Sequence, residues 1–139
     1  MGLFDAFDAS GSALSAERLR MDVSAENLAN AQSTRSADGS GPYKRKEVVL
    51  EQAGSSFADS LQAARGVRVA GIVEDSTPPR RIYDPGHPDA DAQGYVTLPN
   101  VNTVTEMTDL IGASRAYEAN VTAMQTAKSM FARTLDLLK

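Results

Sequence analysis

Large apolar side chains recur every seventh residue at both ends of the chain, and this spacing limits the fold more than any other feature. Near the C-terminus, further apolar residues stand three or four positions from members of the series. Such a spacing places one narrow apolar stripe along a helix, as in a coiled coil. We therefore predict a long helix at each end, with the two stripes forming a subunit-packing seam. The seam residues are Phe7, Leu14, Met21, Leu28, Met107, Leu110, Tyr117, Val121, Met124, Phe131, Leu135 and Leu138.

The middle of the chain, residues 34–100, is rich in Gly, Pro, Ser and Asp and carries only short apolar runs. Short apolar runs bounded by turn residues are typical of β-strands. Gly71 lies inside the second run and predicts a bulge or a bend there. Residues 53–65 fit either a loop or a short helix. The predicted strands span residues 43–52, 67–73, 81–83 and 94–98.

These patterns together predict an α+β fold. Residues 1–33 and 101–139 would form one discontinuous axial core domain, in which the long N- and C-terminal helices pack as a coiled-coil-like pair. Residues 34–100 would form a small β-rich insert with extended loops between those helices.

Polar residues mark the two helix ends that adjoin the insert. Thr103 and Glu106 match a capping box, in which the hydroxyl and the carboxylate bond free amides at a helix start. This match predicts a second helix from Thr103 to Lys139. Asn27 and Asn30 lie near the end of the first helix, predicted over residues 3–33, and three residues apart on one face. We expect these amides to bond a neighbouring backbone.

Charge and composition exclude several classes of function. The 139 residues carry a net charge of −4, and a nucleic-acid-binding face is usually basic, so we predict no nucleic-acid partner. The sequence has no cysteine, which excludes disulfides and cysteine-ligated metals. Asp5 and Asp8 interrupt the region where a signal peptide would be apolar. We expect the chain to stay in the cytoplasm or to leave it by a route that needs no cleavable signal peptide.

Candidate chemical sites are few. His87, Asp89 and Asp91 alternate, and one imidazole with two carboxylates is a known set of metal ligands. Pro85 and Pro88 make this segment a rigid turn, where aspartates are common without any ligand, so we predict no metal site. The sequence has no Gly-x-Ser-x-Gly motif and no phosphate-binding glycine loop. We predict no catalytic residues, no cofactor and no small-molecule substrate.

The two helical stripes leave one alternative open. A self-contained helical hairpin, acting as a soluble regulatory or interaction protein, would show a similar spacing. Against it, Ser114 and Lys128 occupy positions on the second stripe, and both helices are rich in alanine on their other faces. Small side chains let helices approach closely on a second side, as the wall of a tube requires.

Several short motifs are distributed along nearly the whole chain. Asn-Leu-Ala-Asn-Ala ends the first helical pattern, Tyr-Asp-Pro and His-Pro-Asp-Ala lie in the insert, Pro-Asn-Val-Asn precedes the second helix, and Arg-Ala-Tyr-Glu-Ala-Asn lies within it. The residues concerned include Asn27, Leu28, Ala29, Asn30, Tyr83, Asp84, Pro85, His87, Pro88, Pro99, Asn100, Asn102, Glu106, Arg115, Tyr117 and Asn120. With these motifs the sequence resembles the flagellar basal-body rod protein family, and within it the proximal rod branch.

The resemblance implies a structural subunit without catalytic residues. Its terminal helices would line an inner axial tube, and its insert would lie outside that tube. The subunit would assemble helically with itself, with other proximal and distal rod subunits and with the protein at the junction of the MS-ring and the rod. The assembly would be a drive shaft that crosses the periplasm, transmits torque and houses the export channel. The flagellar type III export apparatus would deliver the chain without a cleavable signal peptide.

Overall fold

A computed structural model of the chain describes residues 3–36, 39, 41–53 and 66–136. The helices are α1 (Leu3–Ala29) and α2 (Thr103–Asp136), and the strands between them are β1 (Lys46–Gln52), β2 (Val67–Glu74), β3 (Arg80–Tyr83) and β4 (Tyr95–Leu98). The predicted α+β class, with two long helices around a small β-rich insert, is confirmed. Residues 54–65, for which the sequence left loop and helix open, lie outside the described residues, as does Leu138 of the seam.

The two helices lie side by side and run in opposite directions. They are in extensive contact, and Asn27 in the last turn of α1 bonds Glu106 in the first turn of α2. With 27 and 34 residues, they are about 40 Å and about 50 Å long. No helix among the described residues is long and apolar enough to cross a membrane.

The buried core is confined to one end of this helix pair. Among the described residues, every buried side chain lies within residues 16–31 or 96–113. Residues 5–15 of α1 and 114–136 of α2 contain no buried side chain. The end where α1 stops and α2 starts is therefore packed, whereas the other end is covered only in part by the chain itself. The buried apolar residues are Ala16, Val23, Ala31, Val96, Val101 and Ala113.

The strands form two antiparallel pairs, β1 with β2 and β3 with β4. The first pair packs on α1. Val49 pairs with Gly71 and Leu50 with Val69, so Ala70 is an extra residue on β2. The irregularity predicted at Gly71 is thus confirmed as a bulge beside it. In the second pair, Val96 of β4 is buried in the core.

The start of α2 differs in detail from the predicted capping box. The helix begins at Thr103 as predicted, but Asn102 caps it: its Oδ1 accepts the N–H groups of Val104 and Thr105 at 3.0 and 3.4 Å. The Glu106 carboxylate turns into the core, so its assignment as part of the cap was wrong. The first helix ends at Ala29 and not at residue 33, because after Asn30 the N–H groups of Ala31 and Ser33 bond carbonyls three residues back in place of four.

Ser12 anchors the far end of the β1–β2 hairpin to α1. Its Oγ accepts the N–H of Val67 at 3.1 Å and donates to the carbonyl of Ala9 at 2.8 Å. Gly66 precedes Val67 with a φ of +84°, and a Cβ there would overlap Ser12 Oγ and come within 3.1 Å of Ala9 Cα. The close approach of the hairpin to the helix therefore requires glycine at this position.

We expect Gly66→Ala to lower the free energy of unfolding by about 2 kcal/mol, because it adds both a clash and left-handed strain. Gly112→Ala is the control: Gly112 lies inside α2, a Cβ there meets no atom within 4 Å, and the change should stabilise the helix by about 1 kcal/mol. Urea unfolding followed by circular dichroism measures both. An unchanged midpoint for Gly66→Ala would contradict the anchor.

Candidate functional site

The side chain of Asn27 makes four hydrogen bonds in a site where it is 1% exposed. Its Nδ2 donates to the Lys46 carbonyl at 2.8 Å and to Glu106 Oε2 at 3.0 Å. Its Oδ1 accepts the Lys46 N–H and the Tyr43 hydroxyl, both at 2.9 Å. An amide offers two donor hydrogens and two acceptor lone pairs, so its bonding capacity is full. The Asn27 side chain thus bonds both backbone groups of Lys46, as the backbone of a neighbouring strand would.

The expectation that amides near the end of α1 bond a neighbouring backbone is confirmed for Asn27. Asn30 instead donates to the Glu26 carbonyl of its own helix, at 2.9 Å.

Glu106 is also 1% exposed, and both of its carboxylate oxygens are bonded. Oε2 accepts from Asn27, and Oε1 accepts from Arg45 Nε at 2.6 Å. A buried carboxylate without partners is strongly disfavoured, so this ion pair allows Glu106 to enter the core. The Arg45 guanidinium also pairs with the more exposed carboxylates of Glu47, Asp75 and Asp109.

The pKa of Arg45 reflects the carboxylates around it. Burial by itself would lower this pKa, but hydrogen bonds to Glu106 and Glu47 and the charges of both carboxylates outweigh burial, so the pKa is raised above its ordinary value. Arg45 is therefore a cation at neutral pH.

Asn100 links the same cluster to the turn before α2. Its Oδ1 accepts the backbone N–H of Arg45 at 3.1 Å. We call the whole set the polar junction, because it joins α1, the segment that leads into β1, the turn before α2, and α2 itself. Its members are Asn27, Tyr43, Arg45, Lys46, Asn100 and Glu106.

A cavity of about 150 Å³ adjoins the polar junction between α1, β1 and α2. Ligand pockets usually measure about 300–1,000 Å³, so this cavity is too small for a typical organic ligand. Its lining mixes Arg20 and Lys46 with Glu47 and Asp109. The arrangement suits a structural contact between chain segments better than a binding site.

Tyr43 makes the stability of the folded protein depend on pH in the alkaline range. Burial, with smaller contributions from the charges of Glu26, Glu106 and Glu74, raises the pKa of Tyr43 from 10.0 to about 12. The folded state therefore holds the phenolic proton more tightly than the unfolded chain does. This contribution to stability is complete below about pH 10 and is lost as the pH rises through about 12.

We expect the free energy of unfolding to fall between pH 10 and pH 12 because Tyr43 loses its proton there. Tyr43→Phe should be less stable at pH 7 by about 1 kcal/mol, since it lacks the bond to Asn27, and should lack this alkaline step. Tyr83→Phe, at a tyrosine that is 64% exposed, should keep the step. Urea unfolding of the three chains across this pH range is the measurement, and an equal step in all three would contradict the assignment.

A second cluster ties the loop after β3 to the segment after α1. The Asp89 carboxylate accepts from Thr34 Oγ1 at 2.6 Å and from the Arg35 guanidinium. The hydrogen bond from Thr34, followed by that from Arg35, lowers the pKa of Asp89. The backbone N–H of Asp89 donates to His87 Nδ1 at 3.0 Å.

Asp91 closes the same loop. Its Oδ1 accepts the N–H groups of Gln93 and Tyr95 at 2.8 and 2.9 Å, and the bond from Tyr95 is the main cause of its lowered pKa. The alternating His and Asp residues considered as metal ligands thus have hydrogen-bond partners: His87 and Asp91 bond backbone N–H groups of the loop, and Asp89 bonds the segment after α1. In the described part of the chain, no group of three or more His, Cys, Asp or Glu side chains could hold a metal ion.

Tyr83, from the Tyr-Asp-Pro motif of the insert, packs where this loop closes. Tyr83 and Tyr95 pack edge to face with ring centroids 5.3 Å apart, and Arg81 lies over the Tyr95 ring at 4.9 Å. Gly94 has a φ of +80°, and a Cβ there would be 2.9 Å from Tyr83 Cε2. The motif residues nearer the helices include Asn27, Asn100 and Glu106 of the polar junction, the cap Asn102, and Asn120, which bonds the Ala116 carbonyl within α2.

The predicted seam residues are unequally covered. Met107 is 53% exposed, because it follows the buried Glu106 by one residue and points about 100° round the helix. With Val104 and Ile111, one turn away on either side, it forms an exposed stripe. Phe131 is 42% exposed and Leu135 is 48% exposed. The half-buried seam residues are Phe7, Leu14, Met21, Leu28, Leu110, Tyr117, Val121 and Met124.

The exposure of Leu135 follows from the lengths of the helices. Counted from the contact between Asn27 and Glu106, the start of α1 is level with about residue 130 of α2. The last turns of α2 therefore extend past the start of α1.

Sequence reasoning did not assign roles to Arg45, Tyr43 or Ser12. Arg45 and Glu106 are 61 residues apart in the chain, and Ser12 and Val67 are 55 apart. No local spacing connects such residues. The sequence did contain evidence against a capping role for Glu106. Asn102 is itself a strong cap residue and directly precedes the helix.

Two family models match the chain. The model described as flagella basal body rod protein matches residues 7–35, and the model described as flagellar basal body rod FlgEFG protein C-terminal matches residues 92–137. Asn27 lies in the first matched segment and Glu106 in the second.

Curated relatives match over nearly the whole length. The flagellar basal-body rod protein FlgC of Yersinia enterocolitica is 48% identical over 137 residues, covering 99% of this chain and 98% of the relative. The FlgC protein of Salmonella typhimurium is 46% identical over the same shares of both chains. That of Bacillus subtilis is 44% identical over 150 aligned positions, covering 100% of each.

Proposed function

Because the chain belongs to the FlgC family of flagellar basal-body rod proteins, we propose that α1 and α2 pack against helices of neighbouring rod subunits and form part of the wall of an axial tube. The chain is a structural subunit of the basal-body rod. In the proposed arrangement the two helices form the discontinuous axial domain, and the β-rich insert lies outside it and contacts adjacent subunits.

The observation that carries this proposal is the one-sided burial of the helix pair. A hairpin that is complete by itself would bury its seam along its whole length. Here α2 has no buried side chain among residues 114–136, and large apolar side chains remain exposed at both of its ends. Burying each such side chain contributes about 1.5–3 kcal/mol, so contact with neighbouring helices would stabilise the assembly. The exposed residues of α2 are Val104, Met107, Ile111, Met130, Phe131 and Leu135.

The position of these residues favours an open assembly. Val104, Met107 and Ile111 lie at one end of α2, and Met130 and Leu135 lie at the other. Different patches that meet between subunits give contacts that propagate helically, whereas a closed dimer uses one patch twice. The proposed partners are other copies of the chain, the other proximal and distal rod subunits, and the protein at the junction of the MS-ring and the rod.

The proposed route to the rod is the flagellar type III export apparatus, without a cleavable signal peptide. A chain without disulfides, whose helices are weakly covered over half their length, would pass through a narrow channel with little to unfold. Long helices that lack partners are marginally stable, and burial in the rod would order them. The assembled rod would cross the periplasm as a shaft that transmits torque and houses the export channel.

The test is to place a tag within residues 53–65 and to follow the chain in cells with and without a working export apparatus. A tagged chain that restores swimming to a strain lacking the native protein is the control. The proposal expects uncleaved chain in detergent-extracted basal bodies only when export works. A chain that remains soluble in the cytoplasm in both strains would overturn it and favour the regulatory hairpin.

A further inference from the structure

The polar junction lies entirely within one chain, which has a consequence for the subunit before assembly. We propose that Glu106, through Asn27 and Arg45, locks the β1–β2 hairpin against both helices in the free subunit. The junction end is then a preformed rigid node, and only the distal segments, residues 3–11 of α1 and 114–136 of α2, depend on neighbours for order. That the distal segments become ordered on neighbouring subunits rests on the proposed function, whereas the rigid node does not depend on it.

The lock follows from the way the side chains of Asn27, Glu106 and Arg45 are satisfied. Asn27 and Glu106 are both 1% exposed, so water cannot replace a missing partner. Glu106 comes from α2, Asn27 from α1 and Arg45 from the segment that precedes β1. If Asn27 or Arg45 is absent, one buried oxygen of Glu106 loses its donor, and if Glu106 is absent, one Nδ2 hydrogen of Asn27 loses its acceptor. The three segments therefore close together or not at all.

The hairpin is held at both of its ends. Asn27 bonds Lys46 at the start of β1, and Ser12 bonds Val67 where β2 begins, next to the end of β1. The two anchors are about 22 Å apart along α1, and β1 spans about 20 Å between the same points. Because these lengths agree, the hairpin lies along the helix with both anchors made at once.

The core surrounds the polar junction and ends with it. Buried side chains occur in residues 16–31 and 96–113 and not beyond, among the residues that the structure describes. The boundary of the node on α2 therefore lies near Ala113, about two turns after Glu106. The hydrogen bonds of Asn27, Glu106 and Arg45 described above are all made within one chain.

Glu106 can be tested separately from the start of its helix. Asn102 caps α2, so a change at Glu106 leaves the cap in place. Glutamine has one acceptor oxygen where the carboxylate has two. In Glu106→Gln the new NH₂ group would therefore face a donor, either Asn27 Nδ2 or Arg45 Nε.

The experiment is hydrogen exchange of the free full-length chain, read at single amides by NMR. The reporters are the N–H of Lys46, which bonds Asn27, and the N–H of Val67, which bonds Ser12. In the wild type both should be protected while amides of residues 114–136 exchange fast. Glu106→Gln should speed both reporters by about 100-fold. Glu118→Gln, the same change at an exposed position of α2, should leave them unchanged.

Tyr43→Phe keeps every charge and serves if Glu106→Gln does not fold. It removes one bond to Asn27 and should speed exchange at Lys46 by about 5-fold to 10-fold. Lys46 exchanging at an unprotected rate in the wild type would overturn the proposal. So would a Glu106→Gln chain in which only the amides of residues 103–108 exchange faster. These results need no flagellum, so they are independent of where the tagged chain is found.

Discussion

Asn27→Ala is expected to lower the free energy of unfolding by about 3–5 kcal/mol and to leave cells non-motile. The change removes four hydrogen bonds at once from a site that is 1% exposed. Both backbone groups of Lys46 would lose their partner, and Glu106 would keep only Arg45. Because folded domains are stable by only about 5–15 kcal/mol, this is a large share of the total.

Urea unfolding of the purified chain and swimming in soft agar are the two measurements. Asn30→Ala is the matched control, since Asn30 stands one turn away and its side chain, among the residues that the structure describes, bonds the Glu26 carbonyl and Ser33 nearby in the chain. Its replacement should cost about 1 kcal/mol or less and leave swimming intact. Equal losses of stability and swimming in the two variants would contradict the prediction that the hydrogen bonds of Asn27 in the polar junction contribute more than those of an ordinary helix asparagine.

Met124→Asp is expected to prevent incorporation into the rod. Met124 is half-buried on the seam, in the half of α2 that has no buried side chain of its own. An aspartate there would place a charge in the proposed contact with neighbouring helices, and an unpaired charge is costly to bury. Leu28→Asp should act in the same way from α1. We expect no variant chain in purified basal bodies, and no swimming.

Gln125→Asp adds the same charge at the next position, which is exposed, and should retain most of the incorporation. Urea unfolding of the free chains separates the two explanations of a loss. A Met124→Asp chain that remains folded at the polar junction but is absent from basal bodies supports the seam. Normal swimming of this variant would contradict the seam assignment.

The main elements of the fold could be predicted from the sequence. The seven-residue spacing predicted α1 and α2, and short apolar runs predicted four strands within a few residues of their observed ends. Gly71 predicted the bulge that lies beside it. These predictions succeeded because the period of apolar residues and the placing of glycine and proline are local properties of the chain.

The candidate site was predictable only in part. Asn27 could be found, because an amide near the end of a helix lies within reach of another backbone. Glu106 was assigned to the cap, because its spacing from Thr103 fits a capping box and nothing nearby in sequence distinguishes that role from a buried one. Its partners Arg45 and Asn27 are 61 and 79 residues away in the chain. Such distant pairs can be identified only in the folded structure.

The sequence by itself determined that this protein has two long helices around a β-rich insert, and its motifs indicated the family, since both depend on the order of residues along the chain. The tertiary structure alone decided which carboxylate is buried and which end of the helix pair is packed. The physical reason is that burying a charge or an amide is favourable only when groups from separate segments satisfy it together.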